Sequence, residues 1–364
     1  MSNNEINYVR EAFETNWVAP VGENITAFEQ AIKDYLSIPH AVALTTGTAA
    51  LHLALINLGV QTDDEVIVSS YTFSASVNPI LYQQATPVFI DCEKETWNMD
   101  PVLLEDAIED RLKQGKKPKA IVLVHVYGMP AKVDEIFSIA SRYDIPVIED
   151  AAESLGSRYK GRSVGTFGEM GVLSFNGNKI ITTSNGGALI SHNEQYIRKS
   201  LHLSTQAREN EPYYEHKEVG FNYRLSNILA GIGRGQMEVV DDRIQKRRDN
   251  FQFYKEQLSE FDFFEFLEEP EGHFSNYWLS TCLISDHHVN RDLLMAQLAD
   301  FNIETRPVWK PMHLQPVFSD FPKYVNGTSE NLFERGICLP SSSNLSPEQQ
   351  GFIIEKIKKI MHLA

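Results

Sequence analysis

Lys179 ends the stretch Ser174-Phe175-Asn176-Gly177-Asn178-Lys179, just past the apolar run Gly171–Phe175. A lysine so placed can attack a carbonyl carbon if it spends time neutral, which partial desolvation and neighbouring positive charge promote. Asp150 lies 29 positions earlier and follows another apolar run, Ile145–Glu149. A carboxylate there can hold a basic ring nitrogen in its protonated form. A third element, Thr45-Thr46-Gly47-Thr48, joins an apolar run to a helical pattern. Its small residues let backbone N–H groups approach an anion, and the helix end and hydroxyls add positive potential and donors. Phe73, in Tyr71-Thr72-Phe73-Ser74-Ala75-Ser76, offers a flat apolar face. Pyridoxal 5'-phosphate (PLP) needs this set, since its phosphate, ring nitrogen, aldehyde and ring face each require a different partner. The protonated ring is an electron sink, and the lysine amine can move a proton between substrate and cofactor as base and acid. Each element alone has an ordinary counterpart: a helix cap, a strand-end turn residue, a solvated lysine, a core aromatic. Their order along the chain is what sets the combination apart.

The surrounding chain must deliver these residues to one place. The run His40–Thr45 leads into the helical pattern Thr48–Leu58. Glu65–Ser69, Thr86–Ile90, Lys119–His125 and Ile145–Glu149 read as strands, with helical patterns near Ser74–Tyr82, Val102–Lys113 and between the last two strands. Gly171–Phe175 and Gly187–Ser191 follow. Strands alternating with helices predict an α/β fold with a mostly parallel central sheet between helices, and ligands at the carboxyl ends of the strands. On a regular strand Glu149 points to the face opposite Asp150. One long helix is expected from Ser226 to Gln257. Beyond it, Asn276–Ile284, a helix near Arg291–Asp300, Ile303–Thr305 and a terminal helix after Ser346 predict a smaller α+β unit. The expected division is a large domain over residues 1–250 that carries the site, and a small C-terminal domain over 251–364. Gly231-Ile232-Gly233-Arg234-Gly235 follows no strand, so it reads as close helix packing, within the chain or at a subunit interface, rather than as a dinucleotide loop.

Composition narrows the class. The 364-residue chain is 42% hydrophobic and 23% charged, as in an ordinary globular enzyme. Its net charge of −16 argues against nucleic acid as a partner and requires a local basic pocket for any anionic ligand. No apolar run approaches the length of about 18 residues needed to cross a membrane. The polar start MSNNEINYVREAFETNW lacks a signal-peptide pattern, so a cytoplasmic enzyme is expected. Cys92, Cys282 and Cys338 are far apart and form no C-x-x-C, which suits a reducing compartment. His287 and His288 are adjacent but have no third ligand at metal spacing, so no metal is expected. Asn24-Ile25-Thr26 reads as a chance glycosylation sequon.

TTGTAALHLAL, YTFSASVNPI, PVFIDC, HVYG, IEDAAESLGS, SFNGNK, NGGALIS and GFNYRLSN occur in this order across nearly the whole chain. Together they resemble the DegT/StrS family of PLP-dependent nucleotide-sugar aminotransferases. Within it, GNKIITTSNGG, LSTQARE and ETRPVWKPMH look closest to the UDP-2-acetamido-4-keto-2,6-dideoxyglucose 4-aminotransferases of bacillosamine biosynthesis, while GDP-perosamine synthases share the GNK and ITT parts. The resemblance implies a type I PLP-dependent aminotransferase fold and a homodimer with shared active sites. It implies glutamate as amino donor and a UDP-linked keto sugar as acceptor. It makes Lys179 the Schiff-base lysine and Asp150 the ring-nitrogen partner. Thr46, Gly47, Thr48 and Ser174 would lie at the phosphate, Asn178 beside the cofactor and Phe73 on its ring. Glu153 would lie near the 3′ oxygen, where many relatives carry His or Gln. Asn222 would reach the phosphate of the other subunit's cofactor. For the sugar nucleotide the resemblance implies the segments Asn16-Trp17-Val18-Ala19 and Arg306-Pro307-Val308-Trp309, with His313 nearby. Arg306, Lys310 and Arg224 are the cations that a diphosphate would need, and Trp17 and Trp309 could stack on the base or cover the sugar. Some relatives are dehydratases with histidine in place of the lysine. Lys179 therefore favours transamination over a dehydratase.

Overall fold

Burial on both faces decides the architecture. The computed structural model describes residues 1–285 and 290–361, so His287 and His288 lie outside the described residues. Its main sheet has eight strands in the order His40–Leu44, Gly187–Ser191, Met170–Ser174, Val147–Asp150, Ala120–Val124, Glu65–Ser69, Thr86–Ile90 and Lys323–Tyr324. Gly187–Ser191 pairs antiparallel with both of its neighbours, and the remaining pairs are parallel. Side chains alternate between two cores. Val66, Val68, Val122 and Ile148 pack with Leu51 and Leu55 of the helix Gly47–Asn57. Ile67, Ile121, Leu123 and Val147 pack with Leu104, Ile108 and Ile136 on the opposite face, from the helices Pro101–Lys113 and Val133–Arg142. A sheet covered on both faces needs apolar residues at successive positions, which explains its near-continuous apolar runs.

A second, antiparallel sheet joins Phe264–Phe266, Ser280–Ile284, Gly336–Leu339 and Arg306–Pro307 in that order. The helices Arg291–Ala299 and Pro347–Met361 close its core through Leu294, Leu298, Ile353 and Ile357. Chain beyond residue 250 also returns to the main sheet, where Lys323–Tyr324 pairs with Phe89 and Ile90.

The long helix expected from 226 to 257 is two helices, Asn227–Met237 and Val240–Gln257. The break has a partner: Asn4 and Tyr8 donate to the Glu238 carboxylate at 2.6 and 2.5 Å. The first of the two carries the glycine run against the N-terminal helices Glu5–Glu14 and Glu23–Leu36. A Cβ on Gly233 would meet the Phe28 ring at 2.7 Å, and one on Gly235 the Glu5 backbone nitrogen at 2.8 Å. Those glycines therefore serve close packing inside the chain. Asn24 of the sequon is buried there, its amide donating to Tyr8 and Asn227 carbonyls. Among the described residues no helix is long and apolar enough to cross a membrane.

Gly187 ties the sheet to the expected site. It lies opposite Leu44 on one side and Ser174 on the other. A Cβ there would stand 2.4 Å from the Gly47 nitrogen and the Thr46 carbonyl carbon, both backbone atoms that cannot swing away. Gly187→Ala should lower unfolding free energy by about 1–3 kcal/mol through this overpacking. A denaturant midpoint unchanged from wild type would contradict it.

Candidate active site

The strands His40–Leu44, Glu65–Ser69, Val147–Asp150 and Met170–Ser174 end at one edge of the main sheet, and the loops that follow them line a single cavity. Thr46 caps the helix Gly47–Asn57: its Oγ1 accepts the Ala49 N–H at 2.9 Å. The first-turn amides of a helix lack intrahelical partners, so this end is a ready anion site. Gly47 is needed at close quarters, since a Cβ on it would sit 3.2 Å from Ser174 Cβ. Thr46, Gly47, Thr48 and Ser174 line one end of the cavity, of about 190 Å³.

Asp150 ends the strand Val147–Asp150 and is buried. The Ser76 hydroxyl donates to its Oδ2 at 2.7 Å, and the Ala152 N–H donates to Oδ1 at 3.1 Å. These donors hold the carboxylate in one orientation at the cavity wall. Glu149 faces away, as strand alternation requires. It accepts N–H bonds from Gly165, Phe167 and Gly168 and pairs with the buried His125 at 3.0 Å. His125 also accepts the Ala131 N–H at 3.0 Å, so it braces the loop behind the sheet.

Lys179 reaches into the same cavity, with its side chain 14% exposed. Its Nζ stands 3.6 Å from Glu153 Oε1 and 4.2 Å from the ring centre of Trp278. Glu153 Oε2 accepts the Tyr127 N–H at 2.8 Å. Burial pushes the Glu153 carboxyl up, against the opposing pull of the Lys179 ammonium and that N–H. The Trp278 indole donates to the Asn178 carbonyl at 2.7 Å, anchoring the peptide that bears the lysine. Phe73 is 53% exposed at the cavity mouth, its ring centre 5.5 Å from that of Trp309. Trp309 in turn stacks on Tyr127 at 5.7 Å.

The structure thus gathers Thr46, Gly47, Thr48, Phe73, Asp150, Glu153, Ser174, Asn178, Lys179 and Trp309 around one cavity. A neighbouring cleft of about 1210 Å³ shares Asn178, Trp278 and Trp309 with it and is lined by Arg306, Pro307, Val308 and Lys310. Other expected residues stand elsewhere. Arg224 is spent on Glu29, at 2.5 Å, and on the Ala43 carbonyl, and lines neither space. His313 is buried between Ser70, at 2.6 Å, and Glu330, at 3.1 Å. The structure thus places Arg224 and His313 outside both spaces, each engaged by neighbouring groups of the fold. Asn16, Trp17, Val18 and Ala19 connect the first two helices, pinned by Asn227 through the Trp17 and Ala19 carbonyls. Trp17 lines a separate groove with Glu11, Thr15 and Asn24, and Asn222 bridges to Thr205 away from the cavity. Ser76, Tyr127, Trp278 and Asn185 are functional candidates that sequence reasoning missed. Ser76 lies three residues beyond Phe73 and could have been read from that turn. Trp278 comes from a distant segment with no local signal. Among the described residues no group of three or more His, Cys, Asp or Glu is placed to hold a metal ion.

Residues 1–358 match the DegT/DnrJ/EryC1/StrS aminotransferase family. The chain belongs to this family. It is 49% identical to EpsN of Bacillus subtilis, a candidate PLP-dependent aminotransferase, over 100% of this chain and 94% of that one. It is 39% identical to the GDP-perosamine synthase of Escherichia coli over 99% of this chain and 96% of that one. A DegT/DnrJ/EryC1/StrS aminotransferase from Brucella abortus superposes with a TM-score of 0.92 at 28% identity, covering 98% of this chain and 95% of its own. As a DegT/StrS-family protein the chain is a PLP-dependent sugar aminotransferase with the family's α/β fold.

The cavity fits that cofactor. A helix end with hydroxyls suits the phosphate, the fixed Asp150 carboxylate suits a protonated ring nitrogen, and Lys179 suits the aldehyde. Asp150→Asn keeps the shape but removes the negative charge, so the half-reaction with the amino donor should slow by about a hundredfold or more, read as the rate of loss of visible cofactor absorbance. An unchanged rate would remove Asp150 from the site. Phe73→Ala should weaken cofactor binding by about 0.5–1.5 kcal/mol, measured by titrating the apoenzyme.

Proposed function

We propose that this protein transfers an amino group from glutamate to C4 of a nucleotide-linked 4-keto-6-deoxy sugar, with UDP-2-acetamido-4-keto-2,6-dideoxyglucose as the first choice of acceptor. The observation that carries the reading is a small cavity holding Lys179 and Asp150 that shares Asn178, Trp278 and Trp309 with a larger adjoining cleft, which has Arg306 and Lys310 on its wall. The bound cofactor supplies an electron sink and a carbon that accepts the amino group.

In this reading Lys179 holds the cofactor, then takes a proton from the donor carbon and returns it. Asp150 keeps the ring nitrogen protonated, with Ser76 and the Ala152 amide holding its orientation. Thr46, Gly47, Thr48 and Ser174 take the phosphate, Asn178 and Glu153 flank the lysine, and Phe73 closes the open face. Arg306 and Lys310 meet the diphosphate, and Trp309 covers the sugar. In a homodimer, Asn222 and the Asn16–Ala19 segment would complete the site from the second copy. The segments GNKIITTSNGG, LSTQARE and ETRPVWKPMH support the UDP-linked acceptor. The identity with a GDP-perosamine synthase supports a second reading, a GDP-linked 4-keto-6-deoxy sugar.

Incubation with glutamate and UDP-, GDP- and dTDP-linked 4-keto-6-deoxy sugars separates these. The expected product, identified by mass and NMR, is the UDP-linked 4-amino sugar, formed with loss of glutamate. A preference for the GDP sugar would move the assignment to the second reading. A product that has lost water and gained no amino nitrogen would indicate a dehydratase and overturn both. Lys179→Ala should abolish both the visible cofactor band and turnover, and retention of either would sink the role given to Lys179.

A further inference from the structure

We propose that Glu153 is the proton acceptor for Lys179: it takes the proton that the ammonium must shed when the amine attacks the cofactor aldehyde, and it holds that proton in the loaded enzyme. This rests on the assignment of Lys179 above and adds a second reacting group to it.

The geometry is specific to this pair. Glu153 is 6% exposed, and its Oε1 stands 3.6 Å from Nζ. Among the described residues it is the carboxylate within ion-pair distance of Lys179. Asp150, the other acid of the cavity, is engaged by Ser76 and the Ala152 amide. Glu153 has one fixed donor, the Tyr127 N–H on Oε2 at 2.8 Å, so Oε1 faces the lysine. The turn that offers this N–H is built for it. Tyr127 adopts φ +54, a left-handed conformation that costs a non-glycine residue energy. Asn98 holds the turn by accepting the Val126 N–H at 2.8 Å. Gly128, at φ +88, leaves room for Asn276, whose Oδ1 a Cβ would meet at 1.8 Å.

The charges around Glu153 make the transfer self-reinforcing. Facing it are the Lys179 ammonium, the Asp150 carboxylate, the Cys338 thiol and the Tyr71 phenol. The ammonium is the one cation of the set. Burial already pushes the Glu153 carboxyl up. Once Nζ is neutral the opposing cation is gone, and two interacting sites of this kind titrate as a pair rather than singly. The proton balance closes. One of the three ammonium protons passes to Oε1. Nζ then bonds to the aldehyde carbon, and its remaining two protons leave with the carbonyl oxygen as water.

The test uses the apoprotein and pyridoxal phosphate itself, mixed between about pH 6 and 9 while the visible band grows. Glu153→Gln keeps an acceptor for the Tyr127 N–H but cannot take a proton. It should form the covalent link about tenfold or more slowly at neutral pH, with the rise in rate displaced to higher pH. Binding of pyridoxamine phosphate, which has no aldehyde, should change far less than this rate does. Glu153→Asp, which keeps the carboxylate, should retain the wild-type pH dependence, and it serves as the comparison if the glutamine variant does not fold. Equal rates and pH profiles in wild type and Glu153→Gln would overturn the relay. So would a loss of pyridoxamine phosphate binding that matches the loss in rate, since that would be a structural effect. Borohydride trapping and peptide mapping keep the two claims apart. An adduct on Lys179 formed equally fast in both proteins sinks the relay alone, and an adduct on another lysine sinks the Lys179 assignment together with it.

Discussion

A carboxylate and an ammonium buried together constrain everything near them. Neither Glu153 nor Lys179 can be left uncompensated in so closed a space, because removing one partner of such a pair strands the other charge. The chain answers with a strained turn at Tyr127, which supplies an N–H to Glu153, and with the Trp278 ring beneath Nζ. Trp278 is fixed in its turn. Its carbonyl accepts from Arg247, a buried guanidinium on the helix Val240–Gln257 that also donates to the Ser341 carbonyl at 3.2 Å. Burial pulls Arg247 down to about 10, the cost of placing a cation where carbonyl oxygens are its partners. Its contacts join the lysine wall to the second sheet.

The sheet supplies the rest by direction alone. Strands that run the same way end at the same edge, so loops far apart in sequence meet there. The antiparallel strand Gly187–Ser191 begins at that edge, and its first residue packs against the start of the helix Gly47–Asn57. The cavity rim and sheet packing therefore share a contact, and a methyl group at Gly187 presses on both.

Legibility in the sequence follows from this division. Thr46–Thr48, Asp150 and Lys179 were readable because each follows an apolar run, and a strand end is a local feature. The apolar runs themselves predicted the layered sheet. What depends on tertiary partners was not readable. Trp278, Tyr127 and Arg247 act through carbonyls, a strained amide and ring faces that no local pattern announces. Arg224 and His313 look like ligand groups by residue type, but Glu29, Ser70 and Glu330 engage them. The break at Glu238 comes from side chains of the first helix, so periodicity within 226–257 could not reveal it.

The large cleft differs from the small cavity in how its charges are held. Arg306 pairs with Glu304 on an exposed segment, and such a surface pair contributes little and can exchange partners. A diphosphate can displace that carboxylate at small cost, which matters in a chain of net charge −16. Chemistry and recognition are thus separated physically. Around Lys179 the groups are buried, mutually bonded and rigid, as transfer of a proton requires. Around Arg306 they are solvated and replaceable, so under the proposed function the shape of the cleft wall would weigh more than charge in choosing the acceptor.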